Sequence, residues 1–476
     1  MSFRFTRRQA AAAALSPAFL KAAAQRETQK PNLVLVLSDD HTAEFTGCYG
    51  NPTIRTPNLD RFAAEGMRLD RFICAAPQCV PSRATFLTGM SPVAANMGRF
   101  SAPLPARIKT LPEYLRPAGY FTGIVGRNFH LDGSPQGPVS GPVYRKHNLQ
   151  TFQRRADFLD VTESVPRTLT KIGEFFDKKP KDAPYFLWVN FRDPHHPWDA
   201  NALTPPHDAS KLRVPAYLPD LPGVRQDLRR YYDEIGRMDG DFRSVLDLLT
   251  QRSSADNTLV LFLGDNGFPF PHGKGSLYDP GLHVPALARW PGRIRPGSST
   301  PALVSGEDVT PTFLDAAGVP APAEISGRSF LPLLTGRAER IRDYVFAQRL
   351  THGTRPFKEG TTTHTFDLSR AARSARYKLI YNCTPHMQYS PVDSYTEKSW
   401  VEMTDEHLWG RLGAKFDRAY FGARPVMELY DLDRDPAELE NLAGRPELAQ
   451  VQRELTVALQ EKMILDQDFL PLPLNE

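Results

Sequence analysis

A doubly wound α/β sheet of mostly parallel strands, followed by a smaller α+β domain, is the fold this sequence predicts. Three features lead there. Four apolar runs read as strands covered on both faces, helical patterns lie between them, and the rhythm changes after about residue 345.

The runs are Asn32–Ser38, Phe121–Val125, Tyr185–Phe191 and Thr258–Leu263. A strand with one wet face alternates apolar and polar residues; these do not, so both faces need cover. Helical periodicity over Pro57–Gly66, Thr110–Ala118 and Asp227–Thr250 supplies the covering layers. Beyond about residue 345, Tyr377–Tyr381 and Met427–Asp431 read as short strands, and Pro446 to about Lys462 as a closing helix. The predicted organisation is an export signal over 1–24, a main α/β domain over 30–345 and a C-terminal α+β subdomain over 346–476.

The signal rests on Arg7-Arg8, a short apolar stretch from Ala10 to Leu20, and the small residues Ala22-Ala23-Ala24. These are the parts of a twin-arginine leader, and the stretch is too short to span a bilayer. A periplasmic or secreted location is the expectation. The 476 residues carry 58 basic and 54 acidic side chains, a formal charge of +4, which is too balanced to suggest a nucleic-acid partner. No later segment reads as membrane-spanning. The four cysteines, Cys48, Cys74, Cys79 and Cys383, contain no CxxC pair, which argues against a thiolate zinc site.

Each apolar run ends in residues able to do chemistry. Asp39-Asp40 follow the first, Arg127-Asn128-Phe129-His130 the second, Arg192-Asp193-Pro194-His195-His196 the third, and Asp265-Asn266 the fourth. Ligands of open α/β sheets bind outside the carboxyl ends of the strands, so these residues converge. Three carboxylates and an amide suit a hard cation, Ca²⁺ or Mg²⁺. The stretch from Cys79 to Gly89 reads as a loop that enters a helix at Pro81 and ends at Gly89. The helix N-terminus there is a place for an anion.

Cys79-Val80-Pro81-Ser82-Arg83-Ala84-Thr85-Phe86-Leu87-Thr88-Gly89 matches C-x-P-S-R-x-x-x-L-T-G in full. In this it resembles the sulfatases of the alkaline-phosphatase-like superfamily. The likeness extends to Leu37-Ser38-Asp39-Asp40, Gly264-Asp265-Asn266-Gly267, the loop from His272 to Gly281, and Glu428 to Pro436. It covers nearly the whole mature chain. The resemblance implies that Cys79 is oxidised to formylglycine by a maturation enzyme, and that the hydrate attacks sulfur. It also implies that Asp39, Asp40, Asp265 and Asn266 hold Ca²⁺, with Mg²⁺ the second choice. Arg83 would steady the nucleophile, His195 would protonate the leaving group with His196 its rival, and His130 would serve the release of sulfate. Lys274 and Arg127 would clamp the sulfuryl group, with His196 also near the substrate.

The chain departs from the family at Gly126-Arg127-Asn128-Phe129-His130, where Gly-Lys-Trp-His is common. Arginine keeps the charge and binds anions bidentately, but does not give up a proton readily. Phe191–His195 and the loop Asp265–Pro271 look most like the sulfamidase branch, the N-sulfoglucosamine sulfohydrolases. The substrate this implies is a sulfated saccharide of heparan type. The alternatives are an O-sulfatase acting on another glycan or an aryl sulfate, a phosphonate or phosphate monoester hydrolase of the same superfamily, and a non-catalytic glycan binder. Trp198, Phe268 and Phe270 are candidates for stacking on sugar rings, and Trp188 for the core.

Overall fold

The computed structural model describes residues 30–98, 103–127, 129–133, 140–252, 255–351, 366–387 and 390–474. The export signal over 1–24 and Asn128 lie outside the described residues, as does the side chain of His130.

Among the described residues, twelve strands form two sheets. The large sheet contains β1 (Asn32–Ser38), β2 (Met67–Ile73), β3 (Phe121–Gly126), β4 (Phe158–Val161), β5 (Tyr185–Asn190), β6 (Thr258–Gly264), β7 (Ala286–Arg289) and β8 (Ser298–Ser305). Their order is β4-β3-β5-β1-β6-β7-β2-β8. All neighbours are parallel except β7, which runs against both β6 and β2. The four apolar runs are adjacent, as β3-β5-β1-β6, so their polar ends share one edge. The register places Leu37 beside Asn190, Ser38 beside Gly264, and Gly126 beside Asn190.

The continuous apolar character follows from cover on both faces. Val34, Val36, Leu187, Val189, Val260 and Phe262 point to one side, where the helix Pro222–Arg252 lays down Leu228, Tyr231, Ile235, Met238, Phe242 and Val245 at spacings of three and four. Leu33, Leu35, Leu37, Phe186, Trp188 and Leu261 point to the other, against Val80, Phe86 and Phe313. Trp188 is a core residue, as expected.

Phe242 meets Phe62 at 5.2 Å and Phe262 at 5.0 Å between ring centroids, with no exposed surface. Phe242→Ala is expected to lower stability by about 3–5 kcal/mol through the cavity it leaves. A chemical denaturation midpoint reads this loss, and the turnover of the fraction still folded should not change.

The second sheet is antiparallel, in the order β12 (Met427–Asp431), β11 (Tyr377–Asn382), β10 (Phe366–Arg373), β9 (Val345–Thr351). The helix Ala449–Leu465 covers it with Leu455, Leu459 and Met463. Buried ion pairs fasten the two sheets together: Lys378 lies 2.5 Å from Asp279 and 2.8 Å from Glu438, and Arg373 lies 3.0 Å from Asp279. The Gln348 backbone N–H donates to the Ala75 carbonyl at 2.9 Å, which pins β9 near the segment before Cys79. No helix among the described residues is long and apolar enough to cross a membrane.

Two expectations need correction. The helix bearing Cys79 spans Cys79–Thr88, so it begins two residues earlier than the sequence suggests. Pro81 sits inside the first turn, where a missing N–H leaves no helical bond unmade. Trp198, Phe268 and Phe270 are buried and stack on one another, with centroids 4.7 and 5.1 Å apart, so they build core and offer no face to a sugar.

Candidate active site

The ends of β1, β3, β5 and β6 and the start of the helix Cys79–Thr88 meet in one buried polar cluster. Backbone geometry fixes its floor. Asp40 is held in the left-handed region at φ 58°, which a non-glycine residue adopts only when its surroundings demand it. They do: its N–H donates to Asp265 Oδ1 at 2.9 Å, and its carbonyl accepts from the Tyr231 hydroxyl at 2.8 Å. Gly126 turns the end of β3 at φ 90°, and a Cβ there would lie 2.0 Å from the Asn190 carbonyl oxygen. That turn delivers Arg127 into the cluster.

Arg83 is the central cation and has no exposed surface. Its Nη2 donates to Asp39 Oδ2 at 2.9 Å, its Nε to Asp265 Oδ2 at 2.8 Å, and its Nη1 to the Arg127 carbonyl. It therefore ties the ends of β1, β6 and β3 together. Arg127 Nη1 reaches Asp39 Oδ2 at 2.6 Å, its Nε faces Glu163 at 3.1 Å, and its Nη2 lies 3.4 Å from His195 Nε2. Lys274 Nζ lies 2.9 Å from Asp40, 2.6 Å from Asp393 Oδ2 and 3.3 Å from His195 Nε2.

Cys79 is the first residue of its helix, and its Sγ lies 3.3 Å from Asp39 Oδ1 and 3.7 Å from Asp40 Oδ1. His195 Nδ1 contacts the His196 carbonyl, which turns Nε2 toward the cluster. His196 is held differently: its Nε2 is 2.8 Å from Glu397 Oε1, and its ring stands edge-on to Trp198. The short turn Phe129–Asp132 carries His130 just beyond Arg127.

Charge and burial set the protonation states. Burial works against charge on Asp39, yet Arg127 and Arg83 hold it well below the usual carboxylate range. Burial pushes Asp40 well above that range, with Lys274 opposing. Burial and then Asp39 push Asp265 up to about 6, against Arg83. Burial followed by Asp39 drives the Cys79 thiol well above its ordinary value, so the thiol is a poor source of thiolate here. Burial and Lys274 hold His195 well below its ordinary value. Lys274 loses some charge stability to burial, but Asp393 and Asp40 raise it well above a free lysine.

The donor set fits a hard cation. Asp39, Asp40, Asp265 and Asn266 are all fully buried, and Asn266 Oδ1 has no hydrogen-bond partner among the described residues. An orphaned buried amide oxygen beside three buried carboxylates is a vacancy in bonding that an oxygen-loving ion satisfies. Ligand atoms of Asp39, Asp40, Cys79 and His195 also lie within 4.8 Å of one another.

The structure thus gathers nine of the eleven site residues named from sequence, leaves His196 at the rim, and does not describe the side chain of His130. It adds Asp393, Glu163 and Glu397, which sequence reasoning missed. Asp393 is 119 residues beyond Lys274, in the part of the chain that carries the second sheet, and no local pattern marks it.

Comparison with known proteins adds an independent finding. A family model described as "Sulfatase" matches residues 31–319, and one described as "N-sulphoglucosamine sulphohydrolase, C-terminal" matches 270–404. The chain is 30% identical over 487 aligned positions to an ulvan-active sulfatase of Formosa agariphila, covering 96% of this chain and 78% of that protein. It is 30% identical over 464 positions to the human N-sulphoglucosamine sulphohydrolase, covering 88% of this chain and 87% of that protein. Among solved structures, one determined with D-glucosamine-2-N,6-O-disulfate shares the fold, with a TM-score of 0.67, 21% identity and coverage of 93% and 99%.

Proposed function

Because this chain belongs to the sulfatase family, and is a sulfuric ester hydrolase, we propose that it removes sulfate from the N-sulfo group of a glucosamine residue in a heparan-type saccharide. The observation that carries this reading is the C-terminal family match over 270–404, which contains Lys274, Asp393 and Glu397, the residues on the substrate side of the cluster.

Sulfuryl transfer moves an anionic group, so fixed cations and a metal provide most of the stabilisation. Asp39, Asp40, Asp265 and Asn266 would hold Ca²⁺, which supplies positive charge to the sulfuryl oxygens. A formylglycine made from Cys79 by a maturation enzyme would supply the nucleophile, in keeping with a thiol that is itself held protonated. Arg83 steadies that position through Asp39 and Asp265. Lys274 and Arg127 clamp the sulfuryl oxygens from two sides. His195 Nε2, directed inward, gives a proton to the leaving atom, the bound anion offsetting the burial and Lys274 that otherwise keep the ring neutral. His130 takes the proton that frees sulfate in the second half of the cycle. A twin-arginine leader carries folded protein, so oxidation of Cys79 would precede export to the periplasm or beyond.

A substrate screen tests this reading. N-sulfo, 6-O-sulfo and 2-O-sulfo saccharides are offered beside an aryl sulfate and a phosphonate ester. Release of sulfate from the N-sulfo sugar is the expected result. Preference for an O-sulfo sugar or the aryl sulfate would replace the substrate and keep the chemistry. Cleavage of the phosphonate alone would move the protein to the phosphonate hydrolases of the superfamily. Tight binding without turnover would make it a glycan binder.

A further inference from the structure

Asp393 is out of place in a site built for anions. Its Oδ2 lies 2.6 Å from Lys274 Nζ and 3.7 Å from His195 Nε2, and 16% of its side chain is exposed. Burial opposes its charge, yet Lys274 and His195 hold its carboxyl down at about 2, so it is ionised. Like charges in a site shielded from water repel far more strongly than in bulk solvent. A carboxylate this close to where a sulfuryl group must sit therefore weakens substrate binding unless something else compensates.

The sign of the charge on the leaving atom provides the compensation. When a sulfate ester breaks at S–O, the electron pair stays on oxygen, which becomes negative until it is protonated. A carboxylate nearby opposes that. When a sulfamate breaks at S–N, the nitrogen first accepts a proton that His195 Nε2 has taken up from solvent beside the bound anion, and becomes positive. The S–N bond then breaks with its pair on nitrogen, the sulfuryl group passes to the nucleophile at position 79, and a neutral amine leaves. The amine later takes a second proton from water. A carboxylate nearby favours every positive species on that path. The leaving atom must lie within hydrogen-bond reach of His195 Nε2, which puts it beside Asp393.

We infer that Asp393 is a specificity-determining carboxylate, which selects N-sulfo over O-sulfo substrates by complementing positive charge on the leaving nitrogen. The inference rests on the N-sulfo reading above. Its rival is a purely positioning role, in which Asp393 only aims Lys274. Loss of that role would weaken every sulfated substrate alike.

Asp393→Asn removes the charge and keeps the shape. The ratio of kcat/KM for N-sulfoglucosamine to that for 4-nitrophenyl sulfate is expected to fall by about ten-fold or more, and Asp393→Glu to restore most of the ratio. If the asparagine variant does not fold, Asp393→Ser carries the same comparison. An unchanged ratio, with both activities reduced in parallel, overturns the inference and leaves the N-sulfo reading standing. Wild-type protein that cleaves 4-nitrophenyl sulfate and O-sulfo sugars but not N-sulfoglucosamine overturns both.

Discussion

Cys79→Ala is expected to reduce turnover by about 10⁴-fold or more while the protein still folds. Cys79 is the first residue of its helix, with 1% of its surface exposed and a sulfur that hydrogen-bonds to the Asp39 and Asp40 oxygens. Alanine suits a helix and removes only these weak sulfur contacts, so the stability change should be small beside the change in rate. Intact mass spectrometry gives the companion result. Protein made alongside its maturation enzyme should be about 18 Da lighter than the translated sequence, the difference between a thiol and an aldehyde. Full activity in protein whose Cys79 is an unmodified thiol would sink the nucleophile assignment. The thiol's own acidity makes that outcome hard to arrange, since burial and Asp39 both suppress the thiolate.

The strands that carry this site are legible in sequence for a physical reason. β1, β3, β5 and β6 sit in the middle of a sheet covered on both faces, so their apolar runs are nearly unbroken. The other strands of the large sheet hide. β2 reads Met-Arg-Leu-Asp-Arg-Phe-Ile, with three charges on a half-buried strand, and β4 and β7 have only four residues each. The antiparallel strand β7 has no signature that separates it from a loop.

The site shows the same division. Asp39, Asp40, Asp265, Asn266 and His195 stand at the ends of legible strands, and Cys79, Arg83 and Lys274 in a motif or a recognisable loop. Asp393 and Glu163 are invisible because their role depends on the approach of distant segments. Asp393 arrives from the C-terminal part of the chain, and Glu163 follows the short strand β4. The aromatic residues near the site misled for a different reason. Trp198, Phe268 and Phe270 pack beneath the site beside Tyr231, whose hydroxyl supports Asp40, so aromatic composition there serves the floor of the site.

Exhaustive chelation is expected to abolish activity and to lower the melting temperature, with Ca²⁺ restoring both more fully than Mg²⁺. Asp39, Asp40 and Asp265 face Arg83, Arg127 and Lys274 within the cluster. Arg83 and Arg127 concentrate on Asp39, while Asp40 has Lys274 as the main cation against its burial. Asp40 and the unpartnered Asn266 Oδ1 would both be satisfied by a divalent ion. Lys274 would then keep Asp393 and be free to turn toward the sulfuryl group. An ion that binds only the folded protein stabilises it by about 2.7 kcal/mol at a hundred times its Kd. Asn266→Ala should weaken that stabilisation at a fixed Ca²⁺ concentration, and in the chelated protein the same substitution should matter less. Equal melting temperatures with and without Ca²⁺, together with full turnover in the chelator, would contradict the cation assignment. A melting response that survives Asn266→Ala unchanged would instead move the ion toward Asp39, Asp40, Cys79 and His195.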